Sequence, residues 1–476
     1  MGSTGEQDRF PRMFDIVSNE LDERGNRVIE VELAGLATHR EAICEHQGLR
    51  DIAALRWTAT RRDQAKTGAL DPADPRLRLV FDRGVDRDGV WEVRVEAEDT
   101  DARVRDVWRQ DVFVQKAPRL PRERIDELAR RYAPVFVFSA GEQYFPVSFE
   151  TMFNHPLLAR CDEAMTLRTV LGKRTLPLCE LGAFMCVNGH ADYLLDFGFF
   201  GMKDSVFGDI NGSRSDATVY YSYLEDPASD RFFINYHLFY TFDAKVGLAR
   251  LTGIGPHVFD RESMVLVFEG GDVPTSMVIS GHLENQTVFL FEKLKIWNQG
   301  RIRVLYDDPR TAKLGEHPVV AVAEGSHALY PTSGIYHISL IREIAGYLHK
   351  TVLGIDPDDG GGASILPDQI LVPPSCRAPS LASYGLRSLG LDRLTSRVVP
   401  DVEGHDGHNA YLVFSGYWVD VPGLQNTRFP PFTRKERDVE DWVDNAYPWV
   451  WDDLPANLLK NNEVILEFLA VNVESH

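Results

Sequence analysis

Short runs of β-branched and aromatic residues, broken by Gly, Pro and Asp turns, follow one another along most of the chain. They constrain the fold more than any other feature. Val90-Trp91-Glu92-Val93-Arg94-Val95-Glu96-Ala97 alternates apolar and polar residues throughout. Successive side chains on a strand point to opposite faces, so such a run buries one face and wets the other. Similar runs at 27–33, 54–60, 76–81 and 107–114 are separated by turn signals at Asp71-Pro72, Asp74-Pro75 and Asp88-Gly89. That spacing predicts an all-β sandwich before residue 120.

With Trp57, the alternating run resembles immunoglobulin-type or polycystic-kidney-disease-type domains, a likeness of fold that carries no chemistry. Pro121 then opens a helix with Ile125, Leu128 and Tyr132 at helical spacing, and Pro134 stops it. Beyond it come strand-like runs at 135–138, 217–223, 232–242, 262–268, 277–280, 287–294, 302–306 and 319–323. One amphipathic helix at 335–352 interrupts them, with Ile338, Ile341, Ile344 and Leu348 on one face. The expected layout is a polar tail (1–13), an immunoglobulin-like β-sandwich (14–118), a connector helix (119–134) and a larger antiparallel β-sandwich domain with a few helices (135–476). The fold class is mainly β.

The formal charge of 51 − 71 = −20 argues against a nucleic-acid backbone or an anionic membrane as a partner bound by long-range attraction. Residues 1–120 hold 20 basic and 24 acidic groups, so −4 of this charge lies there and −16 in the remainder. No apolar run approaches the ~20 residues of a transmembrane helix. The polar start, 1–14, lacks the pattern of a secretory signal, which predicts a soluble chain, cytoplasmic as synthesised, with any export by a non-standard route. Cys44, Cys161, Cys179, Cys186 and Cys376 show neither CxxC pairing nor a disulfide framework and read as reduced thiols. The preference for arginine over lysine points to a GC-rich bacterial source.

The chemistry concentrates in Gly255-Pro256-His257-Val258-Phe259-Asp260-Arg261-Glu262, which leads into a strand. Period-2 geometry puts Asp260 and Glu262 on the face of Met264, Leu266 and Phe268. Two carboxylates on an apolar face call for a cation, a metal or shifted protonation. If the preceding strand at 232–242 pairs with this one, Asp243 meets His257 and Asp260 at its end. Asp243, His257, Asp260 and Glu262 would suit a hard divalent ion, magnesium, calcium or manganese before zinc. The competing reading is a buried ion pair through Arg261 or a lysine. His282 and His327 each follow a β run and join the site as tentative catalytic residues. His190, Asp192 and Asp196 form a second polar cluster, and His405 and His408 flank Asp406, with solvated, structural roles expected for both. The 356–363 loop lacks the spacing of an EF-hand and reads as surface.

His257-x-x-Asp260-x-Glu262, preceded by Asn235-Tyr236-His237-Leu238-Phe239-Tyr240, resembles the vacuolar protein sorting-associated protein 62 family. Tyr132-Ala133-Pro134-Val135, Glu142-x-Tyr144-Phe145-Pro146, Glu324-Gly325-Ser326-His327-Ala328-Leu329-Tyr330, Ser415-Gly416-Tyr417-Trp418 and Pro430-Pro431-Phe432 follow in the family's order, over about 125–445. The strand-turn-strand unit is also similar to the necrosis- and ethylene-inducing peptide-like cytolysins. That resemblance implies metal ligands at His257, Asp260 and Glu262 with Asp243 upstream. Phe259 stands where the cytolysin heptapeptide has its second His, and Arg261 replaces a Trp, placing an extra cation beside the site.

Three functions follow as expectations. One is a recognition or effector protein, toxin-like in kind, whose divalent cation coordinates a glycan or lipid headgroup. Another is a metal-dependent hydrolase of an ester or phosphoester, with His282 or His327 as base. The third is a non-catalytic trafficking or scaffold protein. Whether the chain is an enzyme stays open at this stage.

Overall fold

The computed structural model describes residues 15–33, 36, 40–61, 63–74, 76–138, 141–148, 216–226, 229–243, 257–280, 286–290, 317–325, 327–330, 369–376, 381–389, 417–419 and 427–428. These residues are mainly β.

Before residue 115 the elements are β1 (Asp15–Leu21), β2 (Arg27–Glu32), α1 (Arg40–Gln47), β3 (Ala54–Arg61), β4 (Gln64–Leu70), β5 (Arg76–Phe81), β6 (Gly89–Glu98) and β7 (Val104–Val114). They build two antiparallel sheets in the orders β1-β2-β5 and β4-β3-β6-β7, an immunoglobulin-like sandwich. Alternation decides what is buried. Leu77, Leu79 and Phe81 turn inward from β5, and Trp91, Val93, Val95 and Ala97 from β6 are fully enclosed. Phe81 packs against Trp91 at 4.9 Å between ring centroids, and the indole N–H donates to the Arg87 carbonyl at 2.9 Å. Gly68 lies opposite Trp57 in the β3–β4 ladder, where a Cβ would come within 2.5 Å of the indole nitrogen. The close approach of that ring requires glycine.

Residues between β7 and the connector helix are bonded on both sides. Lys116 is buried beside Asp88, and its backbone N–H donates to the Asp88 carboxylate. The Gln115 amide donates to the Tyr223 carbonyl at 2.6 Å, and the Arg119 guanidinium donates to the Ser229 and Arg231 carbonyls while pairing with Glu225. Helix α2 (Arg122–Arg131) follows, with Glu123 in its first turn and Arg130 and Arg131 in its last, the order its dipole favours. It buries Ile125, Leu128 and Ala129, and Tyr132, read at the same spacing as the first two, is buried at its C-cap. The Tyr236 hydroxyl donates to its Ala129 carbonyl at 2.8 Å.

The remaining strands are β8 (Val135–Phe138), β9 (Thr218–Glu225), β10 (Arg231–Asp243), β11 (His257–Glu269), β12 (Pro274–Ser280), β13 (Gln286–Leu290), β14 (Val319–Val322), β15 (Leu329–Tyr330), β16 (Gln369–Val372), β17 (Ala382–Ser383), β18 (Gly385–Ser388), β19 (Tyr417–Val419) and β20 (Thr427–Arg428). One sheet runs β13-β12-β11-β10-β9-β18 and a second β15-β14-β8-β16-β17, while β19 and β20 pair with each other. The pairs β18–β9, β14–β8 and β16–β17 are parallel within a domain that is otherwise antiparallel among its described strands, as the sequence reading expected for the most part. Each joins strands far apart in the chain or linked indirectly, and such connections allow parallel pairing that a tight hairpin forbids. The β10–β11 pair lies at the centre of its sheet and is buried on both faces; most of the described buried apolar residues of both halves of the chain form one continuous cluster.

Eight further strands and a helix separate this picture from the sequence reading. β1, β4, β15, β16, β17, β18, β19, β20 and α1 were not expected, and β11 begins at His257 rather than near Glu262. The strand expected at 302–306, the helix at 335–352 and the loop at 356–363 lie outside the described residues.

Candidate functional site

The β10–β11 register sets Asp243 opposite His257, Tyr240 opposite Asp260 and Leu238 opposite Glu262. Asp260 and Glu262 are two residues apart and share a face. Positions 257 and 260 are three apart, an odd spacing along a strand. Only the backbone positions of Asp243 and His257 belong to the described structure, and His282 lies outside it, as do His190, Asp192, Asp196, His405 and His408.

His327 comes to Asp260 from the turn between β14 and β15. The turn brings it there with a left-handed backbone, φ 59°, and its own N–H donates to the Ala323 carbonyl at 3.1 Å. Its imidazole is fully buried. Nδ1 donates to Asp260 Oδ2 at 2.8 Å, and Nε2 faces Glu142 Oε1 at 3.8 Å, a close ion pair longer than a hydrogen bond. Burial by itself would lower the pKa of this ring. The Glu142 charge and the Asp260 hydrogen bond outweigh it and raise the value from 6.5 to about 10. At neutral pH His327 is therefore an imidazolium.

Glu142 is itself fixed. Its Oε1 accepts the backbone N–H groups of Gln143 and Tyr144, both at 2.8 Å, and its Oε2 accepts that of Gly325 at 2.7 Å. Burial alone would raise its pKa; the His327 charge and these N–H donors hold it below 4.5. The neighbouring Gly141 carries no Cβ, which would meet the Glu324 carboxylate at 2.7 Å. Tyr240 lies under the imidazole, rings 3.7 Å apart. Its phenol is held far above its ordinary pKa of 10, first by burial and then by the charges of Glu142, Asp260 and Glu262. Two carboxylates thus flank the imidazolium, and with Glu262 their charges bear on the phenol.

A cation beside Asp260 is accordingly supplied by His327. Arg261 contributes its backbone N–H to Asp260 Oδ1 at 2.7 Å, but its side chain points elsewhere, donating through Nη2 to His237 Nδ1 at 2.6 Å. An arginine always donates, so His237 accepts at Nδ1, carries its proton on Nε2 and donates to Ser222 Oγ at 2.8 Å. That direction leaves Ser222 without a base, and the Ser222–His237 pair does not form an activated nucleophile.

Among the described residues no three His, Cys, Asp or Glu side chains form a ready-made metal cage. Asp260 and Glu262 nevertheless fit a hard divalent ion in kind, as oxygen donors on one face. A carboxylate has about four lone-pair sites, so the bonds from His327 and Arg261 do not by themselves bar a cation at Asp260. The Asp260 side chain keeps 12% exposure, against 1% for Glu142 and 0% for His327, so access from solvent is through Asp260.

Glu142 and Tyr240 did not figure among the site residues read from the sequence. Both stood in the quoted motifs, Glu142-x-Tyr144-Phe145-Pro146 and Asn235 to Tyr240. No spacing rule links Glu142 to His327 or Asp260 across so much chain.

No family model and no curated protein matches the chain. Among solved structures it is similar to NLPPya in complex with mannosamine, at 14% identity over 46% of this chain and 71% of that one, with a TM-score of 0.23. That superposition is too loose to carry residues from one chain to the other. No helix among the described residues is long and apolar enough to cross a membrane.

Proposed function

We propose that the chain is a recognition protein that binds a glycan or lipid headgroup at the end of the β10–β11 ladder through a divalent cation. Asp260 and Glu262 are the core ligands in this reading, with Asp243 and His257 three residues further along the ladder, at its end. The observation that carries it is the carboxylate pair on one face of a central strand, with Asp260 held in a fixed orientation and still reaching solvent. Magnesium, calcium or manganese would supply open positions for sugar hydroxyls or phosphate oxygens. The protein's own part is to hold the carboxylates in place and keep their far sides dry.

The charge of His327 weighs against hydrolysis with that residue as base. An imidazolium whose N–H groups face Asp260 and Glu142 has no lone pair to accept a proton. It also favours a second reading, in which the imidazolium is the cation of the cluster and the site is a structural clamp.

Metal content by mass spectrometry separates the two. The wild type should carry a stoichiometric divalent ion that Asp260→Asn and Glu262→Gln lose, and chelator should abolish its retention on a glycan panel or on liposomes. Equal metal content in all three proteins would leave the clamp reading standing.

A further inference from the structure

We infer that Glu142 is a positioning residue of the site, acting on Asp260 through His327; this rests on the proposed cation-binding role of Asp260.

The three residues come from separate segments: Glu142 follows β8, His327 lies in the β14–β15 turn and Asp260 belongs to β11. Each member is fixed by the one behind it. Three backbone N–H groups immobilise the Glu142 carboxylate, with donors from its own turn and from Gly325, two residues before His327. Glu142 Oε1 then stands 3.8 Å from His327 Nε2, an ion pair beyond hydrogen-bond length that holds the far edge of an imidazole already pressed flat on Tyr240. His327 Nδ1 directs Asp260 Oδ2, and the Arg261 N–H directs Asp260 Oδ1. Both oxygens of this part-buried carboxylate are therefore oriented before any ligand arrives. Glu142 is buried too deeply to touch a ligand, yet it connects the five-stranded sheet's loops to a carboxylate on the six-stranded sheet. In metal sites, groups standing behind a ligand in this way change affinity about 10- to 100-fold when removed.

Terbium serves as the probe, its emission sensitised by Tyr240 and its binding midpoint read by titration. Glu142→Gln should weaken the midpoint about 10- to 100-fold. The double variant Glu142→Gln/Asp260→Asn should bind no more weakly than Asp260→Asn alone, because Glu142 acts only through that carboxylate. An unchanged midpoint in Glu142→Gln, or losses that multiply in the double variant, would overturn the inference. If Glu142→Gln does not fold, His327→Gln takes its place in the same cycle. A wild type with no saturable emission defeats the cation-binding reading instead. The linkage is then read from thermal unfolding of the same four proteins: non-additive losses support it and additive losses refute it.

Discussion

The imidazole of His327 lies flat on the phenol ring of Tyr240, with centroids 3.7 Å apart and planes 3° from parallel. A cation over the negative face of an aromatic ring is stabilised, the more so where water is excluded. The Tyr240 hydroxyl is buried with no hydrogen-bond partner among the described residues. Removing an unsatisfied hydroxyl while keeping the ring costs little, so Tyr240→Phe should leave the unfolding free energy unchanged or raise it by up to about 1 kcal/mol. Tyr240→Leu should lower it by about 1–3 kcal/mol through loss of the ring. Urea unfolding measures both. A large loss in Tyr240→Phe would mean that the hydroxyl is bonded to water or to a ligand.

The same cluster sets a pH dependence. His327 has a folded pKa of about 10 against an ordinary 6.5, so its stabilisation is complete below pH 6.5 and is lost as pH rises through about 10. Glu142 is shifted the other way. Its stabilisation is complete above pH 4.5 and is lost as pH falls through its depressed folded value. The contribution of the pair is therefore greatest between about pH 4.5 and 6.5. Melting temperature against pH should show this plateau, and His327→Gln should remove the alkaline decline. A wild type and a His327→Gln variant with parallel profiles above pH 6.5 would contradict the assignment of charge.

Lys116 carries the corresponding charge in the N-terminal half. Its ammonium lies 3.6 Å from Asp88 Oδ1, with both side chains largely buried. Burial raises the Asp88 pKa, and the Lys116 charge opposes that rise. Lys116→Met strands a buried carboxylate and should cost about 3–5 kcal/mol, whereas Lys116→Met/Asp88→Asn should recover a good part of it. Chemical denaturation of the two variants decides the matter. Equal losses would show that the pair is not coupled.

Gly68→Ala tests packing alone. The added methyl would lie within 2.5–2.9 Å of three atoms of the Trp57 indole, and the ring must move. Overpacking of this kind costs about 1–3 kcal/mol. Trp57→Leu/Gly68→Ala should relieve it, and the fluorescence of Trp57 should report the displacement in the single variant.

The sequence reading succeeded where a strand has one buried and one exposed face or is buried throughout. Val90 to Ala97 and Phe232 to Phe242 announced β6 and β10 because burial selected their side chains. β4 was missed because it sits at a sheet edge, half-exposed along its whole length, and Gln64-Ala65-Lys66-Thr67-Gly68 bears no apolar stripe. At the site, Asp260 and Glu262 were legible because charge on an apolar strand face is costly and conspicuous. The counter-charge of Asp260 was not, since His327 arrives from another sheet. Arg261 was the tempting partner by proximity, yet the period of two turns it to the face of His237.

β8 has a consequence for synthesis. Val135, Phe136, Val137 and Phe138 are all buried between β14 and β16, whose residues leave the ribosome only at Val319–Val322 and Gln369–Val372. The N-terminal sandwich has all its strands once Val114 has emerged and can close early. An apolar strand must then wait, unpaired on both edges, while most of the chain is made. Contacts of such long sequence separation form slowly and leave sticky intermediates, which makes the nascent chain a natural client of chaperones and truncation before Gln369 a route to aggregation.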